Sequence, residues 1–219
     1  EEIKYITQNS PIETEIFVHG ALCFCHSGQC YMSSLIGRRS GNRGMCAQPC
    51  RMQYSLGGRM DDYPMSLKDN CLVDRLREIE DAGVACIKIE GRMKSAYYAA
   101  VVTNAYRHAL DAAIAGKPLD KLWVDETDMV SHRPYTTGFY FGQPGQHYAE
   151  ASYQTAADVA AVVESCESDG TAVLTQRNKF SRGDELELLS PSAPPVRFTA
   201  EHVFNAEDEE IEDTRLVPP

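Results

Sequence analysis

Between residues 20 and 60 the sequence has no aspartate or glutamate, although the whole chain carries 32 acidic residues against 21 lysines and arginines and a net charge of -11. Nothing in that stretch repels an anion, and its five arginines leave it at +5. An acidic protein with one basic, acid-free segment concentrates positive potential in one place. The reverse imbalance closes the chain, where residues 149–219 hold five basic and fifteen acidic residues for a net of -10.

Other absences narrow the field. No apolar run approaches the roughly 20 residues that span a bilayer, so no membrane partner is expected. There is no His-Glu-x-x-His zinc helix and no Gly-x-Ser-x-Gly elbow, which removes two common hydrolase designs. No signal-peptide pattern is present, and thiol-rich chemistry without one leads us to expect a reducing cytoplasm.

What the sequence does have is cysteine. Five of its eight cysteines (Cys23, Cys25, Cys30, Cys46, Cys50) fall within residues 23–51, together with Gly28, Gly37, Gly41, Gly44 and the arginines Arg38, Arg39, Arg43 and Arg51. No hydrophobic core needs that mixture. Such density means a disulfide staple, a metal or cluster site, or a reactive thiol. Disulfide frameworks belong to small secreted domains that lack a core, whereas 219 residues can bury a sizeable one. Structural zinc takes closely spaced pairs, and only Cys46-x3-Cys50 fits closely. An iron–sulfur cluster accepts ligands from separate loops and is the favoured reading, with zinc as the alternative. Cys71, on an expected helix, and Cys166, in a strand-like run, read as small buried hydrophobes.

The rest of the chain reads as alternating units. Ile16 to Val18, closed by Gly20, predicts a buried strand after a short polar lead, with His19 at its exit as a base, a ligand or a satisfied structural histidine. The cysteine segment follows as a long insertion, helical over 31–36. Next comes a helix striped by Leu72, Leu76 and Ile79, capped by Asp69 or Asn70 and ended by Gly83. A strand over 84–90 precedes a long helix from Ser95 to about residue 115, with Val101, Ala105 and Ala109 on one face. Helix, strand and helix with short links argue for parallel α/β structure. In a parallel barrel the active groups follow the carboxyl ends of strands. His19 with the cysteine segment, and Glu90 with Arg92 and Lys94, would then face one mouth. In the connection over 119–148, Arg133 and Tyr135 either touch substrate or pack between domains. Runs over 156–164, 171–176, 185–189 and 196–204, parted by Asp169-Gly170, Arg182-Gly-Asp184 and Pro194-Pro195, predict a small antiparallel barrel.

Several motifs carry a family resemblance. Glu15-Ile-Phe-Val-His-Gly-Ala-Leu-Cys23, followed by Ser27-Gly-Gln-Cys30-Tyr-Met-Ser-Ser34, resembles the signature of the U32 peptidase family, the collagenase-like peptidases. Gly37-Arg-Arg-Ser-Gly-Asn-Arg-Gly44 with Cys46-Ala-Gln-Pro-Cys50-Arg51, then Ile87-Lys-Ile-Glu-Gly-Arg-Met-Lys94, then the run from His132 to Gly142, are similar to later blocks of the same family. The resemblance implies an eight-stranded barrel, but a TIM barrel takes about 250 residues and this chain is too short for one plus a second domain. The expectation is α/β: the second half of a TIM-barrel-like parallel domain over 1–118, a connecting segment over 119–148 and a small C-terminal β-barrel over 149–219. The N-terminal half of the barrel would be missing, leaving an exposed sheet edge.

The family name implies proteolysis of a peptide or collagen substrate, yet a Cys-His pair would have to be chosen from crowded thiols with no clear orienting partner. The resemblance is nearer to prephenate-dependent tRNA uridine hydroxylase type members. It implies an iron–sulfur enzyme that hydroxylates a nucleobase of tRNA or rRNA, with prephenate as co-substrate. The 4Fe-4S cluster of such members is held by four cysteines. By position these are Cys23, Cys30 and Cys46, with Cys86 preferred as the fourth and Cys50 as the alternative; Cys25 departs from the pattern. His19 and Glu90 become the catalytic candidates. Arg38, Arg39, Arg43 and Arg51 offer guanidinium forks to RNA phosphates, Arg92 and Lys94 suit the carboxylates of prephenate, and Arg133 and Tyr135 complete the substrate contacts. Phe24 and Tyr31 stack on a base or pack in the core. A non-catalytic iron–sulfur scaffold is the third reading.

Overall fold

The computed structural model describes residues 1–26, 29–191 and 193–215, so Ser27 and Gly28 of the Ser-Gly-Gln-Cys motif lie outside the described residues. It divides into two compact units, residues 1–156 and the residues from 157 onward.

In the first unit the polar lead is a helix, α1 (Glu2–Asn9), and β1 (Glu15–Ala21) follows it. Among the described residues the cysteine segment contributes α2 (Met32–Gly37) and two 3₁₀ turns. A ribbon of β2 (Tyr54–Leu56) and β3 (Arg59–Asp62) leads to β4 (Asp69–Cys71), α3 (Leu76–Asp81), β5 (Cys86–Ile89) and the long α4 (Ala96–Ile114). A short α5 (Lys121–Glu126) and β6 (Tyr135–Thr136) complete the unit. The four-stranded sheet runs β5-β1-β4-β6. Its outer pairs, β1 with β5 and β4 with β6, are parallel, whereas β1 and β4 are antiparallel. The sheet is therefore mixed, and no closed barrel forms among the described residues.

The antiparallel strand has a tertiary cause. Asp69 and Asn70, expected to cap a helix, are instead buried in β4. The Asp69 carboxylate accepts the Arg133 backbone N–H at 3.1 Å and its guanidinium at 3.4 Å, while Asn70 Nδ2 donates to Phe17 O at 3.1 Å. These tertiary partners outweigh the local capping preference of Asp and Asn. The Leu72, Leu76 and Ile79 stripe is buried as the pattern requires, and Gly83, at φ +78°, ends the helix turn.

On α4 the Ser95 side chain caps the helix by accepting the Tyr98 N–H, and Tyr98, Val101, Val102, Ala105, Tyr106 and Ala109 form its buried face. Burying a Leu or Val side chain of this kind is worth about 1.5–3 kcal/mol. At the end of β1 only glycine fits: Gly20 has φ +109°, and a Cβ there would lie 2.3 Å from the Glu90 carbonyl oxygen. That close approach ties the exit of β1 to the loop after β5, where Glu90 N–H donates to His19 O at 2.9 Å.

The second unit has two antiparallel ribbons, β7 (Ala161–Cys166) with β8 (Ala172–Gln176), and β9 (Glu185–Ser190) with β10 (Ala193–Thr199). Phe180, Ala200 and Val203 make its small core. Pro194 and Pro195 lie inside β10 rather than between strands, where the register shifts between Ala193 and Val196. A bulge tolerates residues that cannot donate to a ladder. Cys166 ends β7 exposed rather than buried, and Cys71 ends β4 rather than standing on a helix.

Candidate functional site

The cysteine segment leaves the exit of β1 and is held in shape by single polar contacts. Buried Ser33 Oγ accepts the Ala47 N–H at 2.9 Å, and Tyr54 OH donates to Pro49 O at 2.9 Å. Arg39 Nε donates to Met45 O at 3.1 Å. Arg51 turns inward: its guanidinium donates to Leu22 O at 3.0 Å, to Ser66 Oγ at 3.3 Å and to Leu67 O. Arg92 reaches Gly44 O at 3.5 Å, joining the loop after β5 to the cysteine segment. Arg38, Arg39, Arg43 and Arg92 are exposed, as are Phe24, Tyr31, Leu35 and Ile36.

All eight cysteines are free thiols. Burial pushes the Cys50 thiol's pKa up, Arg51 opposes this, and the nearby thiols of Cys23, Cys46 and Cys30 push it further up. These four are therefore electrostatic neighbours, and Cys46 Sγ accepts the Gln48 N–H at 3.3 Å. Cys86 is not brought to them. It opens β5 opposite Glu15, the first residue of β1, and its thiol faces the Glu15 carboxylate. The cysteine segment departs from the other end of β1, roughly 20 Å further along at about 3.3 Å per residue. Among the described residues no group of three His, Cys, Asp or Glu side chains is already drawn together for a metal ion. In residue type and number, Cys23, Cys30, Cys46 and Cys50 suit a thiolate-ligated group.

Behind the segment lies a buried polar layer. His19 is 1% exposed, with its ring among those of Tyr98, Tyr106 and Tyr135 at centroid distances of 5.9, 5.3 and 5.4 Å. The Tyr106 hydroxyl donates to Val18 O at 2.8 Å and accepts the Leu72 N–H at 2.9 Å, so at 3.3 Å it accepts from His19 Nδ1. That assignment leaves His19 Nε2 as a bare acceptor with no partner. Burial, then the charges of His132 and Lys94, lower the His19 pKa to about 3. The ring stays neutral at physiological pH and carries no imidazolium proton to give up.

The other candidates occupy distinct places. Glu90 Oε1 accepts the Arg92 N–H at 3.1 Å, so it braces its own loop. Lys94 Nζ donates to Ser131 O at 2.6 Å and lies 3.6 Å from the Tyr153 ring centroid, with a pKa lowered to about 8 chiefly by burial. Arg133 and Asp69 form an ion pair with side chains only 3% and 2% exposed. The Tyr135 hydroxyl donates to Thr127 O at 2.7 Å, and its ring stacks on His132 at 4.1 Å. Arg133 and Tyr135 thus pack inside the unit. Sequence reasoning missed Ser33, Gln48, Asp69 and Tyr106 as organisers. Only Tyr106 had a readable signal, lying eight residues beyond Tyr98 on the same helix face.

A mixed α/β unit carrying a clamped, acid-free thiol segment, followed by a small β unit, defines the class of the molecule. The model of peptidase family U32 matches residues 1–150 and that of the U32 C-terminal domain matches residues 155–216, so the chain belongs to peptidase family U32. It is 34% identical to tRNA hydroxylation protein P1 of Bacillus subtilis (98% of this chain, 55% of the relative) and 32% identical to tRNA hydroxylation protein P of Escherichia coli (95% and 58%). It is 38% identical to the E. coli 23S rRNA 5-hydroxycytidine C2501 synthase over 66% of this chain and 24% of that protein. The chain thus spans little more than half the length of the first two of these relatives. No solved structure matches it.

Proposed function

We propose that this protein serves in hydroxylating a nucleobase of tRNA or rRNA, with a 4Fe-4S cluster at Cys23, Cys30, Cys46 and Cys50 and prephenate as co-substrate. The observation that carries the reading is the company Cys50 keeps: three further thiols of one acid-free segment, beside exposed arginines. The names of the relatives, two tRNA hydroxylation proteins and an rRNA hydroxycytidine synthase, support the reaction class. The distance of Cys86 from the segment favours Cys50 as fourth ligand.

The cluster would supply one-electron transfer. The chain's own residues bind and orient. Arg38, Arg39 and Arg43 engage RNA phosphates without a nearby carboxylate to compete, and Phe24 and Tyr31 offer exposed rings to an unstacked base. Arg92 is the exposed cation for a carboxylate of the small acid, whereas Lys94 and Arg51 turn inward and support the loops. His19 holds the exit of β1 by donating from its neutral ring to the Tyr106 hydroxyl. A thiol-peptidase reading has less support, because the relatives described above carry the names of RNA-modifying proteins.

The test is anaerobic purification with iron and sulfide assays on the wild type and on Cys23→Ala, Cys30→Ala, Cys46→Ala, Cys50→Ala and Cys86→Ala, alongside nucleoside analysis of RNA from cells relying on each variant. Iron, sulfide and the hydroxylated nucleoside should be lost in the first four variants and kept in Cys86→Ala. A wild-type protein without iron and sulfide would overturn the cluster. An unchanged nucleoside profile in all five variants would overturn the reaction.

A further inference from the structure

We infer that Gln48 is a positioning residue that links the buried Arg133–Asp69 ion pair to the thiol of Cys46. The inference rests on the reading of the cysteine segment as a cluster site.

Gln48 stands in the left-handed region at φ 53° and ψ 47°, a conformation that strains a residue with a Cβ and that glycine adopts freely. Two contacts accompany the strained turn. The backbone N–H reaches back to Cys46 Sγ at 3.3 Å, and the side-chain Oε1 accepts from Arg133 Nη2 at 3.3 Å. Arg133 is a fixed anchor. Its Nη1 meets Asp69 Oδ1 at 3.4 Å, its Nε donates to Ala151 O at 3.1 Å, and the Tyr153 ring centroid lies 4.1 Å from the guanidinium carbon. With the Gln48 side chain pinned, its peptide N–H is aimed at the sulfur. Glycine would satisfy the turn but could not make the Arg133 contact.

The rest of the loop has its own supports. Ser33 holds the Ala47 N–H, Tyr54 holds Pro49 O, and the Arg51 guanidinium holds the carbonyls of Leu22 and Leu67. Removing the Gln48 side chain therefore leaves the loop's fold in place and frees the N–H that faces Cys46. Hydrogen bonds to ligating sulfur tune the retention and potential of an iron–sulfur group, and partners of metal ligands typically matter about 10–100-fold in affinity.

The experiment uses the full chain reconstituted anaerobically with iron and sulfide, as wild type, Gln48→Ala, Gln48→Gly and Gln48→Glu. Iron release to a chelator, the cluster midpoint potential and far-UV circular dichroism are recorded for each. Gln48→Ala is expected to release iron about ten-fold faster or more, with a shifted potential and an unchanged dichroism spectrum. Gln48→Gly should behave like the alanine variant despite its relaxed backbone, while Gln48→Glu, which keeps an acceptor for Arg133, should release iron at close to the wild-type rate. If wild type holds its cluster and Gln48→Ala matches it in release rate and potential, the inference is overturned while the cluster reading stands. Loss of the native spectrum in Gln48→Ala would make Gln48 a folding residue and also overturn it. A wild-type chain that holds no iron and sulfide would overturn the cluster reading, and the inference with it.

Discussion

The layer between β1 and α4 and the cysteine segment beyond β1 are built on opposite plans. In the first, Val18, Leu72, Val101, Val102 and Ala105 are all but excluded from solvent, and the polar groups among them, such as Tyr106, bind buried backbone. In the second, Phe24, Tyr31, Leu35, Met45 and most of the thiols reach solvent, and order comes from a few side chains gripping backbone at separate points. Burial is shared among many atoms, so a packed layer degrades globally when altered. A clamped loop fails locally, one contact at a time. A site that must accept a ligand needs the second plan, since its groups have to stay unsatisfied until the ligand arrives.

Asp69 belongs to both plans, and its removal should have the largest effect. Asp69→Ala leaves Arg133 buried without its counter-ion, which costs about 3–5 kcal/mol for a pair this enclosed. Urea unfolding of the first unit should show that loss together with faster proteolysis within 23–51. A loss below 1 kcal/mol would mean that Arg133 finds another partner, and would separate the two regions that Asp69 is said to join.

Leu72→Ala tests the packed layer by itself. Leu72 is fully buried, and Leu→Ala changes at such sites cost about 2–5 kcal/mol. The midpoint of unfolding should fall while alkylation rates of the native thiols stay unchanged. Arg51→Ala should do the reverse. Losing a guanidinium that serves two carbonyls and a hydroxyl costs about 1–3 kcal/mol of local order, read as faster cleavage within 23–51 and faster alkylation of Cys50. Equal effects of the two variants on both readouts would abolish the distinction.

The same contrast explains what the sequence made legible. Periodicity located α4, its Ser95 cap and the Leu72, Leu76 and Ile79 stripe, because apolar spacing and caps are local signals. The strand β1 was also readable. The antiparallel β4 was not, because Asp69 and Asn70 read as helix caps until Arg133, 64 residues away, is known to claim the Asp69 carboxylate. The short α5 was missed for want of a long stripe, although Asp120 caps it. Composition marked the cysteine segment as special. Which thiols are neighbours depended on where β5 begins, and an apolar run fixes a strand's ends poorly. Cys86, preferred by position in the family pattern, opens β5 opposite Glu15 at the far end of β1 from the cysteine segment.

The smallest predicted effect is a slope. With a folded pKa of about 3 and an ordinary value of 6.5, His19 is neutral in both folded and unfolded chains above pH 6.5 and contributes no pH dependence there. Below 6.5 the unfolded chain binds a proton that the folded chain refuses, since burial comes first and the charges of His132 and Lys94 add to it. The unfolded state is then favoured, and stability falls with acidification by about 1.4 kcal/mol per pH unit until the folded pKa is approached. The carboxylates whose pKa is lowered, Glu15, Asp111, Asp169 and Glu210, start from 4.5 or below, so they act lower in the range. Between pH 5 and 6.5 the difference between wild type and His19→Gln isolates the histidine, because glutamine can still donate toward the Tyr106 hydroxyl without titrating. Urea midpoints measured across that window should fall more steeply for the wild type. Parallel slopes would mean that His19 is hydrated or protonated in the folded protein, and that the layer behind the cysteine segment is as open as the segment itself.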